Sequence, residues 1–425
     1  MSDPNTLPLT AQLGDEPLAF SLHALLTHLA AVPETRHPRG LRYPLGPLLA
    51  LAVLAKLAGY PTLRALADWA CLRAADLAAF FALPHATMPH LTTWTRAFAP
   101  LDTAALDAAI GAFFADLRAC GPHRPGDLVL SIDGKTLRGT IPAGAHRGVH
   151  LVAAYLPAAG FVLAQVAVDQ KANELTAVPH LLAQLDLHGL VVTGDALFAQ
   201  RALSAHIVAT GGDYLWRVKS NQTGLRDEIT WLFAPLRAGE RETDFDWRRA
   251  REVIKGHGRL EEREIVASRA LKSSSDWPGL EQVFQITTRV AYPDGRQREW
   301  VRYGVTSLAV AQASPARLLA LTRAHWGIEG GLHQRRDVSL REDRSQTRTG
   351  QAAHVLASLN NAVIGVVAHS GAANLAATQR AFAYRFDKAM HYHNCVRQWA
   401  GPPTQEGAAP PRLRRVRAVA PPIAA

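Results

Sequence analysis

The sequence predicts a mixed α/β protein whose sheet-forming core follows an all-α N-terminal region. Residues 21–120 are rich in alanine and leucine at helical spacing. From residue 127 onwards, short apolar runs typical of strands alternate with helical segments. Hydrophobic residues make up 48% of the 425-residue chain, which is enough to build two or three domains, or one domain with a large insertion.

The N-terminal region predicts four or five helices and no strand. Prolines stand where helices begin or end, at positions 44, 61, 84 and 89. The segment Thr92–Arg96 resembles a helix start that carries polar and basic groups. The region therefore either contacts DNA or is a helical bundle that packs and dimerises. Residues 1–20 before it predict a disordered leader.

The core, predicted over residues 127–370, begins with strands and helices in the order β-β-β-α-β-α-β. The predicted strands are 128–132, 150–155, 161–168, 190–193 and 213–218, and the predicted helices are 174–185 and 198–209. Pro157–Gly160 joins the second and third strands as a hairpin. An antiparallel opening followed by a parallel continuation is the order of the ribonuclease H-like fold.

The second half of the core predicts a β-rich insertion and a long helix. Residues 240–310 are strand-like and charged, and we interpret them as an inserted subdomain. A helix begins at Ser314-Pro315, a favourable N-cap and first-turn pair, and runs through residue 337. A further helix covers 351–368. Residues 371–425 predict a C-terminal helix and a basic, Pro/Ala-rich tail.

Charge and cysteine content bound the partners and the compartment. The formal net charge is +10 and the pI about 9.8, which favours an acidic partner, above all nucleic acid. The three cysteines form no closely spaced framework, which predicts a reducing cytoplasm. The most apolar stretch, Leu45–Tyr60, is short and interrupted by Lys56. We therefore expect a buried helix there and no membrane partner.

Three carboxylates stand at positions that suit metal-dependent phosphate chemistry. Asp133 follows the first predicted strand, although Asp-Gly is also common turn chemistry. Asp195 follows the fourth strand, which neighbours the first in a sheet of this order, and Glu329 lies on the helix after the insertion. Converging carboxylates suit two hard divalent cations, which can activate an attacking oxygen and stabilise a leaving one.

Several motifs, in order, resemble the DDE transposases of insertion sequences, in the group that includes the H-repeat-associated proteins. They are IDGKTLRGT, HLVAAY, FVLAQVAV, KANELTAVPHLLAQLDLHGLVVTGDALFAQ, DYLWRVKSNQ, GHGRLEER and RAHWGIEGGLHQRRDV. The N-terminal stretch VPETRHPRGLRYPL and the helix after it resemble that family's associated domain. The resemblance covers about residues 22–367.

The resemblance implies an activity and its partners. Asp133, Asp195 and Glu329 would bind two Mg²⁺ ions, with Mn²⁺ as a substitute. The reactions would be DNA cleavage at the ends of an insertion sequence and strand transfer into target DNA. The partners would be double-stranded DNA, as terminal inverted repeats and target, and a second copy in a homodimeric synaptic complex at the nucleoid. A catalytically silent DNA-binding descendant and a nuclease without joining activity remain alternatives.

Ten further residues are candidate DNA contacts: Lys135, Arg138, Lys219, Asn221, Gln222, His257, Arg259, His325, Trp326 and Arg336. On a continuous helix His325, Glu329 and Arg336 share one face. His325 and Arg336 resemble signature Arg and Lys positions of related transposases, and with Trp326 they would hold a phosphate or a flipped base. Core packing is the alternative for Trp326, a solvated turn is the alternative for Lys135 and Arg138, and turn stabilisation is the alternative for His257 and Arg259.

Other features leave alternatives open. Glu342-Asp343 is a second acidic pair that competes with Glu329, and the arginines at 341, 344 and 348 either follow phosphate or form surface ion pairs. His391–Cys395 alternates zinc-ligand types but lacks a second close pair. Gly330-Gly331 departs from the family pattern, and two glycines in a helix interior predict a kink beside Glu329.

Overall fold

The fold is given by a computed structural model that describes residues 24–384 with several short gaps. The gaps are residues 40, 82, 84, 120–127, 169–173, 240–245, 257 and 373. The predicted leader, the basic tail, the zinc alternative at His391–Cys395 and the candidate DNA contact His257 therefore lie outside the described residues.

The N-terminal region is helical, as predicted. Residues 24–30 form a helix, and five more follow. These are α1 (Leu45–Leu57), α2 (Leu63–Leu72), α3 (Ala74–Phe80), α4 (Leu91–Phe98) and α5 (Thr103–Ala119). No strand occurs among the described residues before position 128. Thr62 caps α2 by accepting a hydrogen bond from the Ala65 amide at 3.2 Å, which satisfies one of the free donors of the first turn.

One nine-stranded sheet forms the centre of the protein. Its strands are β1 (Leu128–Thr136), β2 (His150–Leu156), β3 (Phe161–Val168), β4 (Leu190–Gly194), β5 (Asp213–Val218), β6 (Arg248–Gly256), β7 (Arg259–Ser268), β8 (Gln282–Ala291) and β9 (Gln297–Thr306). They lie in the order β3-β2-β1-β4-β5-β9-β8-β7-β6. The first three strands pair antiparallel, whereas β1, β4 and β5 pair parallel. The predicted neighbourhood of the first and fourth strands is confirmed.

The predicted insertion forms part of the same sheet. Strands β6 to β9 form an antiparallel meander, and β9 pairs antiparallel with β5 from Leu215↔Thr306 to Val218↔Tyr303. The charged strands thus extend the central sheet sideways. The strand-like character predicted for residues 240–310 is confirmed, but the long-range pairing of β9 with β5 leaves no local signal.

Seven helices complete the described chain: α6 (Glu174–Leu182), α7 (Arg201–Ala209), α8 (Thr223–Leu232), α9 (Ala234–Arg237), α10 (Pro315–Ala324), α11 (Ala352–His369) and α12 (Leu375–Tyr384). The prediction that a helix begins at residue 198 is wrong, because residues 196–198 form a separate 3₁₀ turn capped by Asp195. In α10 the Ser314 hydroxyl caps the first turn, as predicted.

Helix α11 lies at the centre of the molecule, packed between the N-terminal helices and β3. Nearly all of its residues are buried. Among the described residues it is the one helix long and apolar enough to cross a membrane, and 89% of it is buried inside the protein. The bent pair Leu91–Phe98 and Thr103–Leu117, which meet at 91°, passes the same test only when counted as one span.

The prediction of one continuous helix from 315 to 337 is also wrong. Helix α10 ends at Ala324, and two π-helical segments follow, Glu329–His333 and Arg335–Ser339. The predicted disturbance at the glycines is real, because wider π turns replace α turns there. A Cβ on Gly331 would lie 2.3 Å from the Tyr155 hydroxyl oxygen, so glycine permits the close approach to the sheet.

The two glycines should respond differently to alanine. Tyr155 is buried and cannot move away, so Gly331→Ala should lower the free energy of unfolding by about 1–3 kcal/mol. A Cβ on Gly330 meets nothing within 4 Å, so Gly330→Ala is the matched control and should be neutral or stabilise by up to about 1 kcal/mol. Urea unfolding of both variants measures the difference, and equal stabilities would contradict the close contact.

Candidate active site

Asp133 lies where β1 extends past its parallel neighbour. The pairing of β1 with β4 reaches Ser131↔Thr193, and beyond it Asp133 faces Ala153 of β2. Strand β4 ends at Gly194, directly before Asp195. Because parallel strands end at the same edge of a sheet, both carboxylates lie at that edge.

Asp133, Glu329 and His333 form a cluster at this edge. Their potential ligand atoms all lie within 4.8 Å of one another. The His333 Nδ1 atom lies 3.6 Å from Asp133 Oδ2 and 3.7 Å from Glu329 Oε2. His333 is buried, Asp133 is partly buried and the Glu329 side chain is 56% exposed, so the cluster opens to solvent on one side.

Neighbouring charges shift the pKa values of the carboxylates in this cluster in opposite directions. Burial raises the pKa of Asp133 to about 6, and the negative charges of Glu329 and Asp195 act in the same direction, against His333 and the Gly134 amide. The interaction with His333 lowers the pKa of Glu329. The protein therefore holds a carboxylate whose ionisation is costly until a cation offsets its charge.

Asp195 lies near the cluster but not within it. Its carboxylate accepts a hydrogen bond from the Leu197 amide at 2.7 Å, which caps the turn after β4. Its charge nevertheless acts on Asp133, His325 and Arg217. The structure thus brings the three predicted carboxylates to one edge of the sheet. Asp133 and Glu329 lie closest together, whereas the Asp195 carboxylate is hydrogen-bonded to the turn that follows it.

The cluster has the chemistry of a divalent-metal site. Two carboxylates and an imidazole are common ligands, and the buried His333 Nε2 atom has no hydrogen-bond partner among the described residues. The carboxylate oxygens suit Mg²⁺ and Mn²⁺, whereas an imidazole is a ligand preferred by ions such as Zn²⁺ and Fe²⁺. Sequence reasoning missed His333, although its position four residues after Glu329 on a helix was a usable signal.

His325 lies beside the site as a neutral group. Its Nδ1 atom lies 3.2 Å from the Thr193 hydroxyl, which in turn contacts the Ser131 hydroxyl at 3.2 Å. Burial and the positive charge of Arg217 lower the pKa of His325 to about 4. A neutral imidazole cannot replace the charge of an arginine, so in this structure His325 offers phosphate no positive charge.

Arg336 does not face the site. It is fully buried, and its Nε donates to Glu342 Oε2 at 2.7 Å. Asn360 donates to the other oxygen of Glu342 at 2.8 Å. The predicted contact of Arg336 with DNA is therefore not available in this structure, and Glu342 is occupied in a buried ion pair rather than free to replace Glu329.

The two cations of the first motif differ in availability. Lys135 donates to Asp337 at 2.7 Å and lies 3.7 Å from Asp343, with its side chain 10% exposed. Arg138 is exposed and lies 3.7 Å from Asp343. Lys135 is therefore held inside an ion-pair cluster that the sequence did not indicate, whereas Arg138 remains accessible.

The segment after β5 supports the turn that follows Asp195. Asn221 donates to the Ala196 carbonyl at 2.6 Å, and Gln222 donates to the Ala199 carbonyl at 2.9 Å. These contacts give Asn221 and Gln222 a positioning role, while Lys219 is exposed. Their predicted DNA contacts stay predictions.

The remaining candidates are on the surface. Trp326 is 56% exposed, so core packing does not explain it. Arg259 is exposed and lies 3.5 Å from Glu261. Arg348 donates to the carbonyls of Gly139 and Ile141, which ties it to the chain rather than leaving it free to follow phosphate.

The sheet is mixed, and acidic side chains converge at the end of its parallel strands. These two features define the class of the protein, which is an α/β protein with a candidate metal centre of the DDE type. Residues 124–364 match the model of the transposase DDE domain, and residues 26–114 match the DDE_Tnp_1-associated model. The chain therefore belongs to the DDE-domain transposase family, as its motifs predicted.

Similar proteins extend over most of the chain. The H repeat-associated protein YhhI of Escherichia coli (strain K12) is 28% identical over 82% of this chain and 91% of its own length. YbfL of the same strain is 27% identical over the same shares. A solved piggyBac transposase synaptic complex with hairpin DNA covers 94% of this chain and 83% of its own, with a TM-score of 0.39 and 11% identity.

Proposed function

We propose that the chain is an insertion-sequence transposase that cleaves DNA at the ends of its element and joins them to target DNA. The observation that carries the proposal is the cluster of Asp133, Glu329 and His333 beside Asp195, in a chain of the DDE family. The strand order β3-β2-β1-β4-β5 supports a ribonuclease H-like core around it.

In this proposal Asp133, Asp195 and Glu329 hold two Mg²⁺ ions, for which Mn²⁺ substitutes, and His333 positions or joins the ligands. The ions would supply activation of the attacking oxygen and stabilisation of the leaving oxygen. Hydrolysis would break the bond between phosphorus and the 3′ oxygen and release a 3′-hydroxyl. That hydroxyl would then attack a target phosphorus and displace the 3′ oxygen of the target strand, which takes up a proton and leaves as a 3′-hydroxyl, so one ester bond forms as another breaks.

The surroundings of the cluster suit this chemistry. Thr193 and the neutral His325 supply polar, uncharged groups next to Asp195. Arg138 and Trp326 are exposed near the first motif and just before Glu329, where a DNA strand would approach. We also propose that the protein acts as a homodimer on paired terminal repeats at the nucleoid.

Nicking and strand transfer test the proposal. The purified chain, with Mg²⁺ and a duplex carrying the element's own terminal repeat, should release a 3′-hydroxyl end and join it to a target plasmid. Cleavage without any joined product would favour a nuclease. Salt-sensitive binding without cleavage in Mg²⁺ or Mn²⁺ would favour a silent DNA-binding descendant.

A further inference from the structure

A groove rich in positive charge lies between the end of β5 and strand β9. It has a volume of about 480 Å³. Arg217 lines it from β5, Lys219 from the following turn, Arg226 from α8 and Arg302 from β9, with Trp300 beside Arg302. We call these five residues the cationic groove.

No carboxylate among the described residues lines this groove. Negative charges act on two of its cations from outside it, Asp195 on Arg217 and Glu261 on Arg302. Arginines on two other strands of the sheet are paired, Arg251 of β6 with Glu262 at 2.7 Å and Arg289 of β8 with Glu299 at 2.7 Å. The groove therefore gathers four cations in a lining that contains no described carboxylate.

Concentrating these cations carries an electrostatic cost. Burial lowers the pKa of Arg302, and the positive charges of Arg217 and Arg263 lower it further. Burial also lowers the pKa of Arg217, whose buried Nε atom has no hydrogen-bond partner in the part of the chain that the structure describes. An anion in the groove would relieve the repulsion and provide the missing acceptor.

Contacts within the groove orient its charged side chains. The groove also borders the candidate active site. The Arg302 guanidinium lies 5.2 Å from the centre of the Trp300 ring, a cation–π contact that orients it. Arg217 pairs across from Gly304, so Arg302 lies on the same face of the sheet. Arg217 also acts electrostatically on His325 and with Asp195, which puts the groove next to the carboxylates.

We propose that the cationic groove binds the phosphodiester backbone of the DNA strand that leaves the active site. This inference rests on the proposed function. Phosphodiester fits because the charges come from three separate elements along one groove, and DNA offers a regular series of negative charges to match them. Arg217 holds the phosphate nearest the carboxylates, and Arg226 and Arg302 hold phosphates further along.

Salt-dependent DNA binding tests the groove. Fluorescence anisotropy with a labelled terminal-repeat duplex should show that Arg226→Gln and Arg302→Gln each bind about tenfold more weakly at low salt. Each substitution should reduce the slope of log K against log salt by about 0.9. Arg296→Gln is the matched control, since this exposed arginine pairs with Asp294 at 2.5 Å outside the groove and should leave the slope unchanged.

The outcomes separate the groove from the proposed activity. Wild-type slopes in both groove variants, with folding confirmed by circular dichroism, overturn the groove assignment while leaving cleavage untouched. Groove-dependent slopes without any cleavage support the groove and count against the transposase reaction. If inorganic phosphate binds the wild-type protein but both variants keep full DNA affinity, the groove serves a small anion and the proposal is wrong.

Discussion

Asp133→Asn should abolish metal-dependent DNA cleavage and, at the same time, make the metal-free protein more stable at neutral pH. Asparagine lacks the negative charge that a shared metal ligand supplies. Metal ions contribute several kcal/mol of transition-state stabilisation, so we expect cleavage to fall by at least about 10³-fold. Single-turnover cleavage in Mg²⁺ measures this loss.

The gain in stability follows from the raised pKa of Asp133, about 6 in the folded protein against 3.8 for the free side chain. A group with a raised folded pKa stabilises the protein when protonated, and this contribution is lost as the pH rises through about 6. At pH 8 the ionised carboxylate therefore costs about 3 kcal/mol, which asparagine avoids.

Urea unfolding of the metal-free protein checks the predicted gain in stability. Asp133→Asn should exceed wild type in stability at pH 8, and the difference should vanish near pH 4, where Asp133 is protonated. Asp294→Asn, at an exposed turn, is the control and should show no such gain. A variant that is inactive but no more stable at pH 8 would contradict the cost of ionising Asp133 in its buried position.

Arg336→Ala should be the most destabilising single substitution considered for this chain. Its guanidinium and Glu342 form a fully buried ion pair, and removing Arg336 leaves the Glu342 charge buried without the partner that hydrogen-bonds to it, although the charge of Lys56 still acts on it. Breaking such a pair costs about 3–5 kcal/mol. The same network reaches the N-terminal helices, because Lys56 on α1 donates to Asn360 at 2.7 Å and Asn360 donates to Glu342.

Matched substitutions separate this effect from loss of charge alone. Arg251→Ala breaks the partly exposed pair with Glu262 and should cost at most about 1 kcal/mol. Arg336→Met combined with Glu342→Leu replaces both charges with apolar groups and should recover most of the lost stability. Equal effects of Arg336→Ala and Arg251→Ala in urea unfolding would show that the buried pair is not important for stability.

The sequence predicted the frame of the site because that frame depends on local patterns. Apolar runs marked β1 and β4, and the order of the elements implied that these strands are neighbours, which brings Asp133 and Asp195 to one edge. The helical spacing of residues 21–120 likewise predicted helices without strands. Such patterns report which face of an element is buried, and they need no knowledge of distant contacts.

The details that failed depend on contacts distant in sequence. Arg336 looked like a DNA contact because the buried network of its acceptor Glu342, to which Asn360 also donates, forms only in the folded protein. The helix through Glu329 changes to π turns where Gly331 meets Tyr155, a residue of β2. The same π turns set the direction of the His333 ring, and this direction brings His333 into the cluster with Asp133 and Glu329.

The central claim is that Asp133, Asp195 and Glu329 form one catalytic centre. A strand-transfer assay of the Asp195→Ala variant tests this claim most directly, because Asp195 is the carboxylate that lies outside the close cluster. Wild type and variant are compared on the same terminal-repeat duplex and target plasmid, in Mg²⁺ and in Mn²⁺, with DNA binding measured in parallel. If all three carboxylates form one catalytic centre, the variant binds the duplex like wild type and yields neither nicked nor joined product. Nicking and joining at the wild-type rate would contradict that centre.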